Sequence, residues 1–159
     1  RLNTSDPTIT YDTVWGASLP TSSVFGVTST GVVPSSNASI AYCWAEIEGY
    51  SKFGSYVGNG SADGPFVYCG FKPAWVLIKK TNGSGNENWR LFDSSRCPTN
   101  QNNKHLLPSS SSAESTESGM DLLSNGFKLR HTDAHQNQNG TTYVFMAFAE
   151  SPFQTANAK

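Results

Sequence analysis

The chain has 159 residues and a formal net charge of -1, with 36% hydrophobic, 14% charged and 12% aromatic side chains. That is the length of one domain, or of two very small ones, and roughly 40% of it is Ser, Thr, Asn and Gly rather than charge. The balance excludes a nucleic-acid binder held by phosphate contacts, which needs a basic footprint; no stretch nears the roughly 20 apolar residues of an inserted span, and aromatics are too frequent for an ordinary disordered chain.

Short strand candidates follow one another between turn signals. Residues 23–28 (SVFGVT) alternate weakly, and residues 40–48 (IAYCWAEIE) are apolar on both faces until Glu46, as in a central strand. Residues 52–57 (KFGSYV) end at the turn Gly58-Asn59-Gly60. Residues 65–71 (PFVYCGF) and 74–80 (AWVLIKK) flank a Lys72-Pro73 corner, and the run from Trp75 to Lys79 is apolar enough to be placed in the core. After the polar loop 81–88, residues 89–93 (WRLFD) alternate again. Residues 97–120 read as a long polar loop with one helical turn near residues 113–117. Residues 126–130 (GFKLR) and 142–150 (TYVFMAFAE) are the last strands, the second stopped by Pro152. No window holds apolar residues at helical spacing for ten or more positions. The pattern predicts an all-β fold, a β-sandwich or jelly roll with long polar loops and little or no helix.

A repeat crosses this pattern. Residues 40–46 (IAYCWAE) match residues 144–150 (VFMAFAE), residues 23–27 match residues 125–129, and Asn37-Ala38-Ser39 falls near Asn139-Gly140-Thr141. The period is roughly 100 residues. Residues 1–48 then form the back half of a first β repeat and residues 49–159 a complete second one, the two packed as one unit. A half repeat lacks strands to close its own sheet, and a bare edge invites pairing with another chain; the expectation is a fragment of a longer protein or an intertwined oligomer.

Three cysteines, Cys43, Cys69 and Cys97, cannot close a disulfide framework. Cys43 and Cys69 lie in apolar runs and read as buried free thiols of a chain folded in a reducing compartment.

Several side-chain groups carry chemistry. Trp89, Arg90, Asp93 and Arg96 lie near two polar loops, and an aromatic face with charged residues around it can stack on a sugar ring and bond its hydroxyls; Tyr50, Tyr56 and Tyr68 would add stacking surface. The plainer reading makes Trp89 and Leu91 core residues and Asp93–Arg96 a local ion pair. His131, Asp133 and His135 sit at alternate positions, so an extended strand would turn all three to one face as metal ligands; the plainer reading is an exposed polar loop. Residues 58–64 resemble a turn-rich calcium loop only weakly. Glu46 and Glu150 occupy equivalent repeat positions, which explains them better than glycosidase chemistry does. No Gly-x-Ser-x-Gly elbow and no phosphate-cradling loop is present, so no catalytic set is assigned and no enzyme activity is expected.

Residues 42–56 (YCWAEIEGYSKFGSY), 58–79 (GNGSADGPFVYCGFKPAWVLIK), 123–130 (LSNGFKLR) and 143–153 (YVFMAFAESPF) resemble a domain of unknown function that recurs in tailed-phage structural proteins, including tail-fibre and large virion proteins of marine phages. The resemblance covers nearly the whole chain. It implies a β-sandwich, a virion location after assembly in the host cytoplasm, other virion proteins as partners, and no established activity. It points to a tail-fibre or tail-tip component that recognises a host-surface glycan or receptor. The alternative is a structural domain of a fibre shaft or head decoration. By analogy to phage fibres the expected oligomer is a homotrimer, on whose axis His131 and His135 could gather around a transition metal; no other cofactor is expected. Residues 70–75 (GFKPAW) before an apolar strand are also distantly similar to small six-stranded lectin domains.

Overall fold

The computed structural model describes residues 21–27, 41–82, 87–117 and 119–152. Among the described residues there are seven strands, β1 (Ser51–Val57), β2 (Phe66–Tyr68), β3 (Pro73–Lys80), β4 (Arg90–Asp93), β5 (Met120–Leu123), β6 (Gly126–Leu129) and β7 (Thr142–Ala149), with one helical turn, α1 (Ala134–Asn137), before β7. They form a four-stranded sheet in the order β1-β7-β3-β4 and a three-stranded sheet in the order β2-β6-β5. Every paired strand is antiparallel. The fold is all-β and sandwich-like. No helix among the described residues is long and apolar enough to cross a membrane.

Alternation decides what fills the sandwich. β3 sends Val76 and Ile78 inward, β4 Phe92, β7 Tyr143, Phe145 and Ala147, and β1 Tyr56. From the other sheet come Val67, Met120, Leu122, Phe127 and Leu129. The rings interlock: Tyr56 stacks on Tyr143 at 5.2 Å, and Phe127 meets Phe145 edge-on at 5.3 Å. Gly54 suits this packing, because a Cβ there would lie 3.0 Å from the Phe145 ring, which would have to give by a few tenths of an ångström.

Residues 52–57, 74–80, 89–93, 126–130 and 142–150 are recovered as strands with small shifts at their ends. β2 is shorter than expected, and β5, four residues long, was not anticipated. The long segment 97–117 is tied down by bridges Leu91 to Leu106, Asn102 to Met120 and His105 to Ser115, and residues 113–117 are not helical. Residues 21–27 form no strand, and residues 41–46 are exposed without regular structure; residues 28 and 40 lie outside the described residues. The central strand expected at 40–48 is therefore corrected. An apolar run becomes a central strand only with a partner on each side, which β7 has in β1 and β3 and residues 41–46 lack among the described residues.

The described contacts divide the chain at Trp44/Ala45, so that residues 45–152 form one compact unit and residues 21–27 and 41–44 belong to another. Cys69 is buried as expected, and burial pushes its thiol up to about 12. Cys43 is exposed instead, because its segment is not in a sheet.

Candidate functional site

The sugar-binding group read from the sequence does not come together. On β4 successive side chains alternate between faces, so Arg90 points into the sandwich and Asp93 out of it. Arg90 is buried and bonds Asp133 at 2.8 Å. Asp93 bonds Arg96 at 3.0 Å, and Arg96 also reaches Glu114 at 3.1 Å. Trp89 precedes β4, half-buried, its backbone N–H donating to Ser109 Oγ at 3.3 Å. Tyr56 is 8% exposed and donates its hydroxyl to the Gln136 carbonyl at 2.8 Å, so it is a core residue rather than a stacking surface. Its burial, with the neighbouring Tyr143, holds the phenol well above its ordinary range.

The three metal candidates also part company, because the segment is a loop and a helical turn rather than a strand. Asp133 caps α1, accepting the His135 N–H at 2.8 Å, while its other oxygen holds Arg90. His135 pairs with Glu87, and exposed His131 accepts the Asp133 N–H through Nδ1 at 3.1 Å. Among the described residues no group of three His, Cys, Asp or Glu side chains stands ready to hold a metal.

These partners belong to a polar end of the sandwich interior. Lys80 reaches Glu87 at 3.0 Å and Gln138 at 2.9 Å. Burial raises the Glu87 carboxyl, but the Lys80 hydrogen bond and the His135 charge more than offset it, and the group sits below its usual range. His105 lies against Phe92 at 5.4 Å, 1% exposed; burial, aided by Arg90, pulls it down to about 4. Asn137 fastens the 58–64 loop: it accepts the Asn59 N–H at 2.9 Å and donates to the Ser61 and His131 carbonyls at 2.7 and 2.9 Å. In that loop the one carboxylate, Asp63, turns to Lys128 at 2.7 Å, which holds it below its usual range.

Trp75 is corrected as well. It lies half-buried on the outer face of the four-stranded sheet, edge-on to Phe148 at 5.4 Å, beside the Phe53 and Tyr50 rings that also meet Phe148.

The open surface of suitable chemistry is elsewhere, on the outer face of the three-stranded sheet. Among the described residues β2 is an edge strand whose middle residue, Val67, is in the core, so its neighbours Phe66 and Tyr68 face outward, 44% and 63% exposed. Alternate residues of one strand put the two Cα atoms about 7 Å apart on the same face. Phe66 stands opposite Lys128, which stands opposite Asp121; Tyr68 stands opposite Gly126. A Cβ at Gly126 would fall 2.1 Å from the Val67 carbonyl oxygen, so no side chain can rise beside Tyr68. Lys128 bonds Asp63, and Arg130 bonds Asp121 at 2.8 Å, leaving an ion-paired rim along the two rings. The result is two exposed aromatic rings, a flat strip and a border of donors and acceptors. The sequence signal for it was the alternation Phe66-Val67-Tyr68, of which only Tyr68 had been named.

A family model described as a domain of unknown function, DUF7483, matches residues 1–152. The chain belongs to that family. No curated protein and no solved structure matches it. In this DUF7483 chain the match takes in both the sandwich and the residues before it.

Proposed function

We propose that the chain is a non-catalytic recognition module of a phage virion, at the tail fibre or tail tip, and that it binds host-surface glycan through the Phe66–Tyr68 face. The virion assignment rests on the resemblance of residues 42–56, 58–79, 123–130 and 143–153 to tailed-phage structural proteins. The binding assignment rests on one observation: two large aromatic rings are exposed side by side on an edge strand, next to Lys128 and Asp121. Exposed apolar patches with a polar rim mark binding surfaces. The C–H face of a pyranose stacks on such rings, and its hydroxyls bond a carboxylate or an ammonium group. Loops and faces on a rigid scaffold bind weakly one at a time, and copies in a virion multiply the effect.

Two features favour binding over hydrolysis. Glu46 and Glu150, the equivalent carboxylates of the repeat, are exposed and each pairs with a lysine, Lys52 at 2.5 Å and Lys72 at 2.8 Å. The Lys52 hydrogen bond holds Glu46 below its usual range, the opposite of what a general acid needs.

The test is a glycan array probed with the full chain, followed by the same array probed with Tyr68→Ala. Binding to a defined set of glycans that Tyr68→Ala loses supports the proposal. Absence of binding by the native chain contradicts it and favours the fibre-shaft or head-decoration role.

A further inference from the structure

β1 is an edge strand: β7 lies on one side, and among the described residues no strand lies on the other. Just before it runs a segment with the composition of a strand and the exposure of a surface loop. Tyr42 is 69% exposed, Trp44 49% exposed, and the two rings stack at 6.2 Å. In the repeat, residues 40–46 correspond to residues 144–150, of which residues 144–149 lie in β7, a strand paired on both sides. Among the described residues, an edge without a strand and a strand-like segment without an edge are thus present together.

The structure also sets a register between them. Ile47 and Ser51 exchange both backbone hydrogen bonds, 2.9 Å from the Ser51 N–H and 3.3 Å from the Ile47 N–H. Glu46 and Lys52, the next pair outward, form an ion pair at 2.5 Å. Continued onto the β1 edge of a second copy, this antiparallel register would set Ala45 opposite Phe53, Trp44 opposite Gly54 and Cys43 opposite Ser55. Such a Trp44–Gly54 pairing would be complementary. Gly54 presents no side chain and lies over the Phe145 ring, and an aromatic across from an edge glycine covers the surface that the glycine leaves open. Yet Ala45 and Glu46 pair with no strand among the described residues. The connecting turn, Glu48 to Tyr50, is three residues long with Gly49 at φ +70°. Short hinges favour exchange of an element between copies over closure within one.

We infer that residues 41–47 are a strand that docks along the β1 edge of a second copy of this chain, by opening the Glu48–Tyr50 turn. Residues 41–57 of each copy then run as one long strand. The register maps onto itself when the two copies are interchanged, with Gly49 on the two-fold axis. Such a contact is isologous: each copy gives a strand and receives one, so the assembly closes at two chains. It gives a two-fold pair where the fibre analogy suggested a trimer, and it is independent of the glycan face on the other sheet.

The test uses Ser55→Cys in the full chain with Cys97→Ser, oxidised at low protein concentration. Native Cys43 is exposed, and Cys69 is buried. Cross-strand Cα atoms in this register lie about 5.5 Å apart, within disulfide reach. The inference requires a covalent dimer on non-reducing gels, and light scattering of the unaltered chain at twice its 17.2 kDa. Trp44→Asp must return the chain to single mass. A link within one chain, no link at all, or a single-chain mass for the unaltered protein overturns the exchange.

Discussion

The two surfaces of the sandwich that interrupt ordinary burial do so in opposite senses. At one end of the interior, charged and polar groups are buried: Arg90 on Asp133, Lys80 on Glu87, His105 on Phe92, Asn137 under the 58–64 loop. On the outer face of the three-stranded sheet, aromatics are exposed: Phe66 and Tyr68. Arg90, Lys80 and Asn137 are held by partners within the fold and have a structural explanation, while His105 rests on a ring with its Nδ1 unpaired. The exposed rings have no such explanation, and burying them against the core would have been favourable by about 1.5–3 kcal/mol each. Function is therefore sought on the aromatic face, while the chain's few charges chiefly hold the sandwich together.

That contrast can be broken by substitution. Arg90→Met removes the buried guanidinium that pairs with the half-buried Asp133, and the expected loss of stability is about 3–5 kcal/mol by denaturant unfolding. Asn137→Ala strands three backbone partners and should cost about 3 kcal/mol. A loss below about 1 kcal/mol in either would mean that the polar end does not hold the fold. Arg90→Met does not touch the aromatic face, so folded protein of that variant keeps its glycan binding.

His105 sharpens the same contrast through pH. It is neutral in the fold down to about 4, whereas the unfolded chain takes up its proton from about 6.5. Below 6.5 the unfolded state binds more protons, so stability falls as pH drops from about 6.5 to about 4 and is flat in this term above that. The fall is up to about 3 kcal/mol. His105→Gln should flatten the profile over that window; an unchanged slope would place the titration elsewhere. The smallest expected effect is on the other face: Phe66→Ala and Tyr68→Ala should each shift stability by about 0.5 kcal/mol or less, since both side chains are exposed.

How much of this could be read from the sequence depends on the range of the interactions. β1, β3, β4, β6 and β7 were legible because alternation between turn residues is local. β5 was not, since Met120-Asp-Leu-Leu123 is too short to show a period after the polar stretch before it. Trp75 was placed on the wrong side because an apolar run does not say which face meets the second sheet. The polar end was invisible for a different reason: Arg90 and Asp133 are far apart in the chain, and nothing near either one announces the other. His131, Asp133 and His135 misled because their spacing fits a strand, whereas Asp133 instead caps a helical turn. Residues 41–46 show the limit of pattern reading, since the same motif is a central strand at β7 and an exposed segment here.

The most direct measurement is a calorimetric titration of the best array glycan into the native chain and into Phe66→Ala/Tyr68→Ala, with melting curves recorded on both. The account expects unchanged melting and an affinity lower by about tenfold or more, the loss of two stacking rings. Equal affinity in the doubly substituted chain would contradict it and remove the binding face from this side of the sandwich.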